Sequence, residues 1–520
     1  MSNGKEAVAE TKSGKVEGSY QRGLYIFKGI PYAAPPVGER RWLPPQPVES
    51  WEGVRPAQVF SAIAPQNMME NRVIQTMFVE EPQNEDCLYL NMWSPGLDDA
   101  RRPVMVWIHG GAFNMGSGSS PMAEGSTLAA RGDVVVVSIN YRLGLLGFLN
   151  LNEVTGGRIP ATGNEGLLDQ IAALEWVREN IASFGGDPDN VTVFGESAGG
   201  MSIGCLLAMP KAGGLFNKAI LQSGVGSTVS LLDGAVMVGQ KFLEVTGVDA
   251  GDTDGLRNLT LEQILSANLT LRKIMAREGE DLRITVTAPV IDGKTIPEIP
   301  IDAIKNGSAK QVSIVAGTNL DEWKLLCLMD LELPKLDKVG LVRRLNYYMP
   351  AEFVPGLIEA YRKARTKRGA DASAPEIYKA IQTDRMFRIP CLHVVEAQRL
   401  HNPSAYNYLF TWESPALDGA LGACHALDVG FVFGTCDAAF HGSGPAADKL
   451  SRNMKDAWIA FARTSDPGCD SIGKWAPYGE SRTTMILGKD CYPEEAPYDD
   501  ERQAWEPIRD VFTGEIRTEL

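Results

Sequence analysis

One stretch around a serine constrains the fold of this chain more than any other. A short apolar run at 191–194 is followed by the pentapeptide GESAG at 195–199, and then by small and apolar residues with helical spacing. This order predicts a strand, an abrupt turn at Ser197 and a helix. Glycines two residues before and after the serine leave room for strand and helix to pass closely. In this setting, G-x-S-x-G is typical of a turn that presents a nucleophilic serine.

Sequence patterns on both sides of this turn predict a parallel sheet. Residues 166–184 and 447–464 carry apolar side chains three and four apart, which predicts helices. Residues 8–32 alternate between apolar and polar, which predicts short antiparallel strands. Together the patterns indicate an α/β fold with a central, mostly parallel sheet flanked by helices and with antiparallel strands at the N-terminus. The runs that predict strands of the sheet are 103–108, 133–139, 216–222, 311–316 and 405–411.

Two longer segments interrupt the strand pattern. Residues 228–305 and 323–400, with approximate bounds, have helical character but not the composition of a linker. We therefore expect a single domain, 1–520, in which these two segments are helical lid insertions.

Charge and cysteine content exclude several classes of function. The net charge of −15 disfavours nucleic acid or an anionic membrane surface as a partner. The most apolar window, 134–151, is interrupted by Asn140 and Arg142, and the N-terminus has no apolar signal region, so we expect a cytoplasmic protein. The eight cysteines are scattered without a C-x-x-C motif, which favours reduced thiols over a zinc site. We expect neither metal nor cofactor, and a monomer or small homo-oligomer.

A nucleophilic serine needs a base and an acid. The base accepts its proton, and a carboxylate orients the base, with the order serine, acid, histidine along the chain in folds with this turn. Of five histidines, His425 follows the last predicted strand in a loop and is the best candidate, with His441 second. Asp321 and Glu322 both follow the strand at 311–316, and this reasoning leaves the choice between them open; Asp292 is a weaker candidate.

A glycine-rich loop follows the predicted strand at 103–108. It begins at His109 and continues with Gly110, Gly111 and Ala112. Loops of this kind supply backbone N–H groups to a developing oxyanion, together with the N–H of the residue after the nucleophile, here Ala198.

The ordered motifs along the chain resemble the type-B carboxylesterase/cholinesterase family of α/β-hydrolases, in particular its bacterial para-nitrobenzyl-esterase-like carboxylesterases. The resemblance extends from about residue 10 to the C-terminal helix. The motifs are FKGIPYAAPPVG, NEDCLYLNMW, IHGGAF, NYRLG, VTVFGESAGG, GTNLDEW and HALDVGFVFG.

The resemblance implies specific roles for residues of this chain. It prefers Glu322 over Asp321 as the acid and identifies Arg142 and Asp169 as a structural ion pair. It also implies that Cys87 has no disulfide partner, since the family's C-P-Q segment reads Ala-Pro-Gln here, at 64–66. The implied site is Ser197, Glu322 and His425 as the triad, Gly111, Ala112 and Ala198 as oxyanion donors, Glu196 and Asp428 as a buried support pair, and Ser223 behind them.

The function implied is that of a serine carboxylesterase. Such an enzyme hydrolyses a small-molecule carboxylic ester to acid and alcohol through an acyl-enzyme on Ser197, without a cofactor. An amide, carbamate or lactone hydrolase would use the same triad and stays an alternative. A non-catalytic, cholinesterase-like binding protein is a second alternative; such proteins typically lose the serine or the histidine, and this chain keeps both.

Overall fold

A computed structural model gives the fold of the chain. It describes residues 6–67, 81–275, 286–328, 330–508 and 515–517. Within these ranges, no helix is both long and apolar enough to cross a membrane.

The strands follow the predicted order. The predicted runs at 103–108, 133–139, 216–222, 311–316 and 405–411 all correspond to strands. The strands are β1 (Val8–Thr11), β2 (Gly14–Glu17), β3 (Ser19–Gln21), β4 (Leu24–Pro31), β5 (Val54–Pro56), β6 (Tyr89–Ser94), β7 (Arg102–Ile108), β8 (Val135–Ile139), β9 (Gly186–Glu196), β10 (Lys218–Gln222), β11 (Thr228–Leu231), β12 (Val290–Ile291), β13 (Ser313–Asn319), β14 (Ala405–Phe410), β15 (Thr483–Leu487), β16 (Cys491–Glu495) and β17 (Glu515–Arg517).

Eleven of these strands form the central sheet. Their order is β16-β15-β14-β13-β10-β9-β7-β8-β6-β4-β3. The seven strands from β15 to β8 are parallel to one another, and antiparallel strands flank them at both ends. The sheet is therefore mostly parallel, with antiparallel strands at the N-terminus, as the sequence predicts.

Helices cover the sheet and fill the two long insertions. The predicted helix at 166–184 is an α-helix followed by a short 3-10 turn. The α-helices are Ser126–Gly132, Gly144–Gly147, Glu165–Asn180, Ala198–Ala208, Leu232–Thr246, Thr253–Arg257, Leu261–Met275, Pro300–Lys305, Glu322–Leu326, Lys338–Leu345, Val354–Lys367, Ala374–Thr383, Ile389–Gln398, Leu427–Phe433, Pro445–Thr464 and Asp499–Gln503. The 3-10 turns are Gly38–Arg40, Pro121–Ala123, Ile181–Phe184, Pro210–Ala212, Leu333–Lys335, Ala416–Gly419 and Glu506–Ile508, and a π-helical turn spans Asp384–Arg388.

The insertions are not purely helical. The described part of 228–305 also contains β11 and β12, and β11 lies between β12 and β17 in a separate three-stranded parallel sheet. These strands are only two to four residues long, too short for a visible alternation of polar and apolar residues. The role of 228–305 and 323–400 as a lid stays a prediction, as does the single-domain organisation.

The register of the parallel strands brings their carboxyl ends to one edge of the sheet. Ile108 of β7 pairs with Gly195 of β9, and Gln222 of β10 lies between β9 and β13. The strand cores are buried because helices lie on both faces; every residue of β8 is buried. The loops that carry the predicted site residues all leave from this edge, so residues far apart in sequence meet there.

Candidate active site

Ser197 lies at the turn between β9 and the elbow helix, Ala198–Ala208. Its backbone angles are φ 54° and ψ −123°, a conformation that residues with a side chain rarely adopt. A Cβ atom at Gly195 would lie 2.6 Å from the carbonyl oxygen of Ile108, and one at Gly199 would lie 2.0 Å from the same oxygen. Both glycines are therefore needed for β9 and the elbow helix to pass β7.

The imidazole of His425 connects the serine to a carboxylate. Its Nε2 lies 2.8 Å from the Ser197 hydroxyl oxygen, and its Nδ1 lies 2.6 Å from Oε2 of Glu322. His441, the second candidate from the sequence, contacts its own loop instead, where its Nδ1 accepts the Asp437 N–H at 2.9 Å. The loop after β14 thus brings His425 to the serine.

Of the acidic candidates, Glu322 is the one that faces the imidazole. It is fully buried at the start of the helix Glu322–Leu326, and its Oε1 accepts the backbone N–H of Asn319 at 2.7 Å. Asp321 points the other way, with Oδ1 3.0 Å from Nζ of Lys324. Asp292 caps a turn through backbone N–H groups at 294–296.

A second carboxylate also approaches the imidazole. Oε1 of Glu196, the residue before the serine, lies 3.2 Å from Nε2 of His425. Burial, together with the charges of Asp428 and Glu322, raises the pKa of Glu196 to about 8, although His425 opposes this shift. Burial lowers the pKa of His425, but the charges of Glu196 and Glu322 outweigh it and the net shift is upward. Two buried carboxylates thus share one imidazole.

Asp428 lies near this cluster without bonding to Glu196. Its Oδ2 accepts hydrogen bonds from Nε2 of Gln222 at 2.8 Å and from the Tyr408 hydroxyl at 3.1 Å. Its contact with the site runs through Asn319, whose side-chain amide donates to Oδ1 at 3.3 Å. Burial raises the pKa of Asp428. Glu196 and Asp428, the support pair implied by the resemblance, therefore interact through their charges and not through a direct hydrogen bond.

Ser223 follows β10 and is fully buried. Its φ of 50° is in the left-handed region, and its N–H donates to the carbonyl of Gly317 at 2.8 Å. Its hydroxyl has no hydrogen-bond partner among the described residues. The next residue, Gly224, packs so closely that a Cβ atom there would lie 2.2 Å from the Ser197 carbonyl oxygen.

Two residues of the site were not predicted from the sequence. Asn319 joins the acid to the base, since its N–H binds Glu322 and its side chain donates to the carbonyl of Cys424 at 2.7 Å, next to His425. Phe387, in the π-helical turn, packs on the imidazole with ring centroids 4.9 Å apart. Asn319 lies within the GTNLDEW motif, which could have identified it; no local pattern marks Phe387.

The glycine-rich loop after β7 packs directly against the serine turn. A Cβ atom at Gly110 would lie 2.7 Å from the Glu196 carbonyl and 3.1 Å from Cβ of Ser197. Ala112 and Phe113 have φ angles of 53° and 60°, and among the described residues the N–H groups of Gly111 and Ala112 have no acceptor. The N–H of Ala198 begins the elbow helix, where no intrahelical acceptor is available. These groups are free to bind an anion.

Comparison with known proteins identifies the family. The Carboxylesterase family matches this chain over residues 5–504. The chain belongs to the carboxylesterase family. It is 39% identical to the para-nitrobenzyl esterase of Bacillus subtilis over 96% of this chain and 99% of that protein. It is also 32% identical to the phenmedipham hydrolase of Pseudarthrobacter oxydans, over 92% of this chain and 95% of the relative.

Solved structures of carboxylesterases share the fold. A Geobacillus stearothermophilus carboxylesterase superposes with a TM-score of 0.84 at 39% identity, covering 96% of this chain and all of that one. A para-nitrobenzyl esterase superposes with a TM-score of 0.85 at 37% identity, over 96% and 99% of the two chains. This carboxylesterase therefore has the α/β-hydrolase fold, and it is a carboxylic-ester hydrolase.

We also searched the described part of this carboxylesterase for a site that could bind a metal ion. Across the described ranges, no group of three or more histidine, cysteine, aspartate or glutamate side chains is arranged to hold one. The expectation of a metal-free and cofactor-free site stays a prediction.

Proposed function

We propose that this carboxylesterase hydrolyses carboxylic esters through an acyl-enzyme on Ser197, with His425 as the base and Glu322 as the acid. The observation that carries the proposal is the pair of hydrogen bonds on one imidazole, 2.8 Å to the serine hydroxyl and 2.6 Å to the glutamate. This geometry lets the imidazole accept the serine proton while the glutamate fixes its tautomer.

In the first half of the reaction, Oγ of Ser197 attacks the ester carbonyl carbon as Nε2 of His425 takes its proton. The carbonyl π electrons move to oxygen and form a tetrahedral oxyanion. The intermediate collapses by breaking the bond to the alkoxy oxygen, which receives the proton from His425 and leaves as the alcohol. Glu322 stabilises the imidazolium that exists between these two transfers.

In the second half, water replaces the alcohol. His425 takes a proton from water as its oxygen attacks the acyl carbon, and a second tetrahedral oxyanion forms. Its collapse breaks the bond to Oγ, which regains the proton from His425, and the carboxylic acid leaves. The buried carboxylate of Glu322 serves both halves without itself gaining a proton.

We propose the N–H groups of Gly111, Ala112 and Ala198 as donors to both oxyanions, with Glu196, Ser223 and Asp428 supporting the site from behind. Support comes from the packing of the glycine-rich loop against Ser197 and from the absence of acceptors for Gly111 and Ala112 among the described residues. Such donors act without side-chain reorganisation, and removing one costs about 3 kcal/mol of transition-state stabilisation.

The test is covalent labelling of Ser197. Diethyl p-nitrophenyl phosphate should add one diethylphosphoryl group to the parent enzyme, mapped by mass spectrometry to the peptide that contains Ser197. Ser197→Ala should take up no label and lose p-nitrophenyl acetate hydrolysis by several orders of magnitude. Ser202→Ala, in the same buried helix, is the matched control and should keep both properties. A label on another residue with turnover retained in Ser197→Ala would refute the proposal.

For substrates, we propose small esters of benzylic alcohols as the first class to examine. The Bacillus subtilis relative is named a para-nitrobenzyl esterase. Hydrolysis of p-nitrobenzyl acetate should exceed the Ser197→Ala blank. Amide, carbamate and lactone hydrolysis by the same triad stays the alternative, and phenmedipham is a suitable second compound because another relative is named for its hydrolysis.

We further propose a reducing, cytoplasmic compartment and a monomer or small homo-oligomer that acts without nucleic acid or membrane. Support for the compartment is that all eight cysteines, Cys87 among them, are free. Alkylation of the denatured, unreduced protein should label eight thiols, and a disulfide at Cys87 would contradict the assignment. Light scattering after size exclusion should give 56.5 kDa or a small multiple.

A further inference from the structure

Tyr141 belongs to the NYRLG motif, and the proposed reaction makes no use of it. The side chain is completely buried, and its hydroxyl donates to the carbonyl oxygen of His109 at 2.8 Å. The phenol ring also stacks on the His109 imidazole, with centroids 4.4 Å apart and planes at 18°. Burial raises the pKa of Tyr141, so the hydroxyl keeps its proton and stays a donor.

His109 is held in one protonation state. Its Nδ1 lies 2.8 Å from the carbonyl oxygen of Gly110, and a carbonyl oxygen only accepts, so Nδ1 carries the proton. Burial lowers the pKa of His109 to about 4, so the ring is neutral near pH 7. Gly116 packs against this bond, because a Cβ atom there would lie 2.5 Å from Nδ1 and 2.6 Å from the Gly110 oxygen.

These two hydrogen bonds orient successive peptide planes. In a trans peptide, the carbonyl of one residue and the N–H of the next point in opposite directions. The Tyr141 bond to the His109 carbonyl therefore fixes the N–H of Gly110. The His109 bond to the Gly110 carbonyl fixes the N–H of Gly111, one of the proposed oxyanion donors.

The next plane is fixed within the loop itself. The carbonyl of Gly111 accepts the N–H groups of Asn114 and Met115, both at 3.0 Å, which orients the N–H of Ala112. The loop contains left-handed φ angles at Ala112 and Phe113, which residues with a side chain adopt only when their surroundings hold them there.

We propose that Tyr141 and His109 are positioning residues that keep the Gly111 N–H group aimed at the oxyanion. His109 acts through the Gly110 carbonyl, and Tyr141 acts through the preceding peptide and by stacking on the His109 ring. The inference rests on the proposed function of Ser197. Both side chains act through the backbone of the loop and need not touch the substrate. The NYRLG motif thereby acquires a role in the reaction in addition to its ion pair between Arg142 and Asp169.

The test compares p-nitrophenyl acetate with p-nitrophenyl thionoacetate, in which sulfur replaces the carbonyl oxygen. Sulfur accepts hydrogen bonds more weakly, so well-aligned donors favour the oxygen ester and misaligned donors do not. The ratio of the two kcat/KM values is independent of how much of a preparation is folded. Tyr141→Phe and His109→Gln should each lower this ratio about tenfold, less than the loss of a whole donor, through kcat on the oxygen ester with little change in KM.

Two controls separate positioning from general loss of structure. His109→Asn places an N–H near the position of Nδ1 and should restore the parent ratio. Ser94→Ala removes another buried hydroxyl that donates to a backbone carbonyl, that of Phe184 at 2.7 Å, outside both the glycine-rich loop and the NYRLG motif, and should leave the ratio unchanged.

An unchanged ratio in Tyr141→Phe would overturn the assignment for the tyrosine, and an unchanged ratio in His109→Gln would overturn it for the histidine. Labelling of Ser197 distinguishes these results from failure of the proposed function. A labelled parent enzyme with an unchanged ratio in both variants would refute only the positioning roles, whereas an unlabelled Ser197 would refute the mechanism on which they rest.

Discussion

Oε1 of Glu196 lies 3.2 Å from Nε2 of His425, the same ring nitrogen that faces the Ser197 hydroxyl. The imidazole therefore contacts one carboxylate at each nitrogen, with Glu322 at Nδ1. Groups that interact this strongly gain and lose protons as a set. Their shared titration determines the pH above which His425 is neutral and can accept the serine proton.

The first prediction concerns the acid limb of the pH–rate profile. His425 must be neutral to accept the serine proton, so kcat/KM rises with pH through its pKa. Glu196, Glu322 and Asp428 all raise that pKa. Glu196→Gln removes one of these charges, so the acid limb should move to lower pH by about one unit, measured as kcat/KM for p-nitrophenyl acetate against pH.

The control for this shift is Glu49→Gln, which removes an exposed carboxylate whose charge does not act on His425. Its profile should coincide with that of the parent. An acid limb that stays in place or moves to higher pH in Glu196→Gln would show that the Glu196 charge does not reach the base.

A second prediction separates the two adjacent acids. Glu322→Gln keeps the shape of the side chain but replaces the carboxylate that fixes the His425 tautomer, so kcat should fall by about 10⁴. Asp321→Asn disturbs only the ion pair with Lys324 and the bond from the Ala423 N–H. Asp321→Asn should lower kcat less than tenfold, because an ion pair near the surface contributes only about 1 kcal/mol or less. Steady-state kinetics with p-nitrophenyl acetate decide between them, and equal losses would contradict the assignment of Glu322 alone.

The sequence predicts the triad because each member follows a strand of the same parallel sheet. β9, β13 and β14 end at one edge, so Ser197, Glu322 and His425 meet although they are far apart in the chain. The choice between neighbouring acids could not come from strand patterns, since it depends on which carboxylate is buried behind the imidazole. Phe387 was not predictable for a similar reason: its contact with His425 depends on a π-helical turn in a distant insertion.

The strands that the sequence did not predict are short or at an edge. β15 and β16 form an antiparallel pair at the end of the sheet, and β16 is largely exposed, so its residues carry no buried apolar pattern. β11 and β12 have four and two residues. In such strands tertiary pairing, more than local sequence, determines the conformation.

A third prediction concerns stability. Asp169 is completely buried and accepts two hydrogen bonds from Arg142. Nη2 donates to Oδ1 at 2.6 Å, and Nε donates to Oδ2 at 2.8 Å. Asp169→Asn would leave the buried guanidinium without its counter-charge, at a cost of about 3–5 kcal/mol. The melting temperature should fall by several degrees in a scanning fluorescence assay.

The control for this loss is Lys335→Met, which removes an ion pair with Glu332. The side chains of that pair are 73% and 70% exposed, so the melting temperature should stay nearly unchanged. Similar melting temperatures for Asp169→Asn and Lys335→Met would contradict the role of the buried pair.

The last prediction concerns the alcohol side of the substrate. A backbone carbonyl that points into the pocket would crowd a branched alcohol, but the carbonyl of Gly110 accepts from Nδ1 of His109. That of Gly111 accepts from N–H groups within the loop, at Asn114 and Met115. Both carbonyls are therefore occupied by the protein, and Ala112 adds only a methyl group to this loop.

We therefore expect detectable hydrolysis of esters of tertiary alcohols, at lower rates than for primary esters because the crowded carbonyl carbon is intrinsically harder to attack. The measurement is side-by-side turnover of tert-butyl acetate and n-butyl acetate, with Ser197→Ala as the blank. Ala112→Gly, which suits the left-handed φ of 53° at this position, should raise tert-butyl turnover relative to n-butyl turnover, since it removes the one methyl group there. Brisk n-butyl turnover with no tert-butyl turnover above the blank would contradict the prediction, and would mean that other side chains close the pocket on the alcohol side.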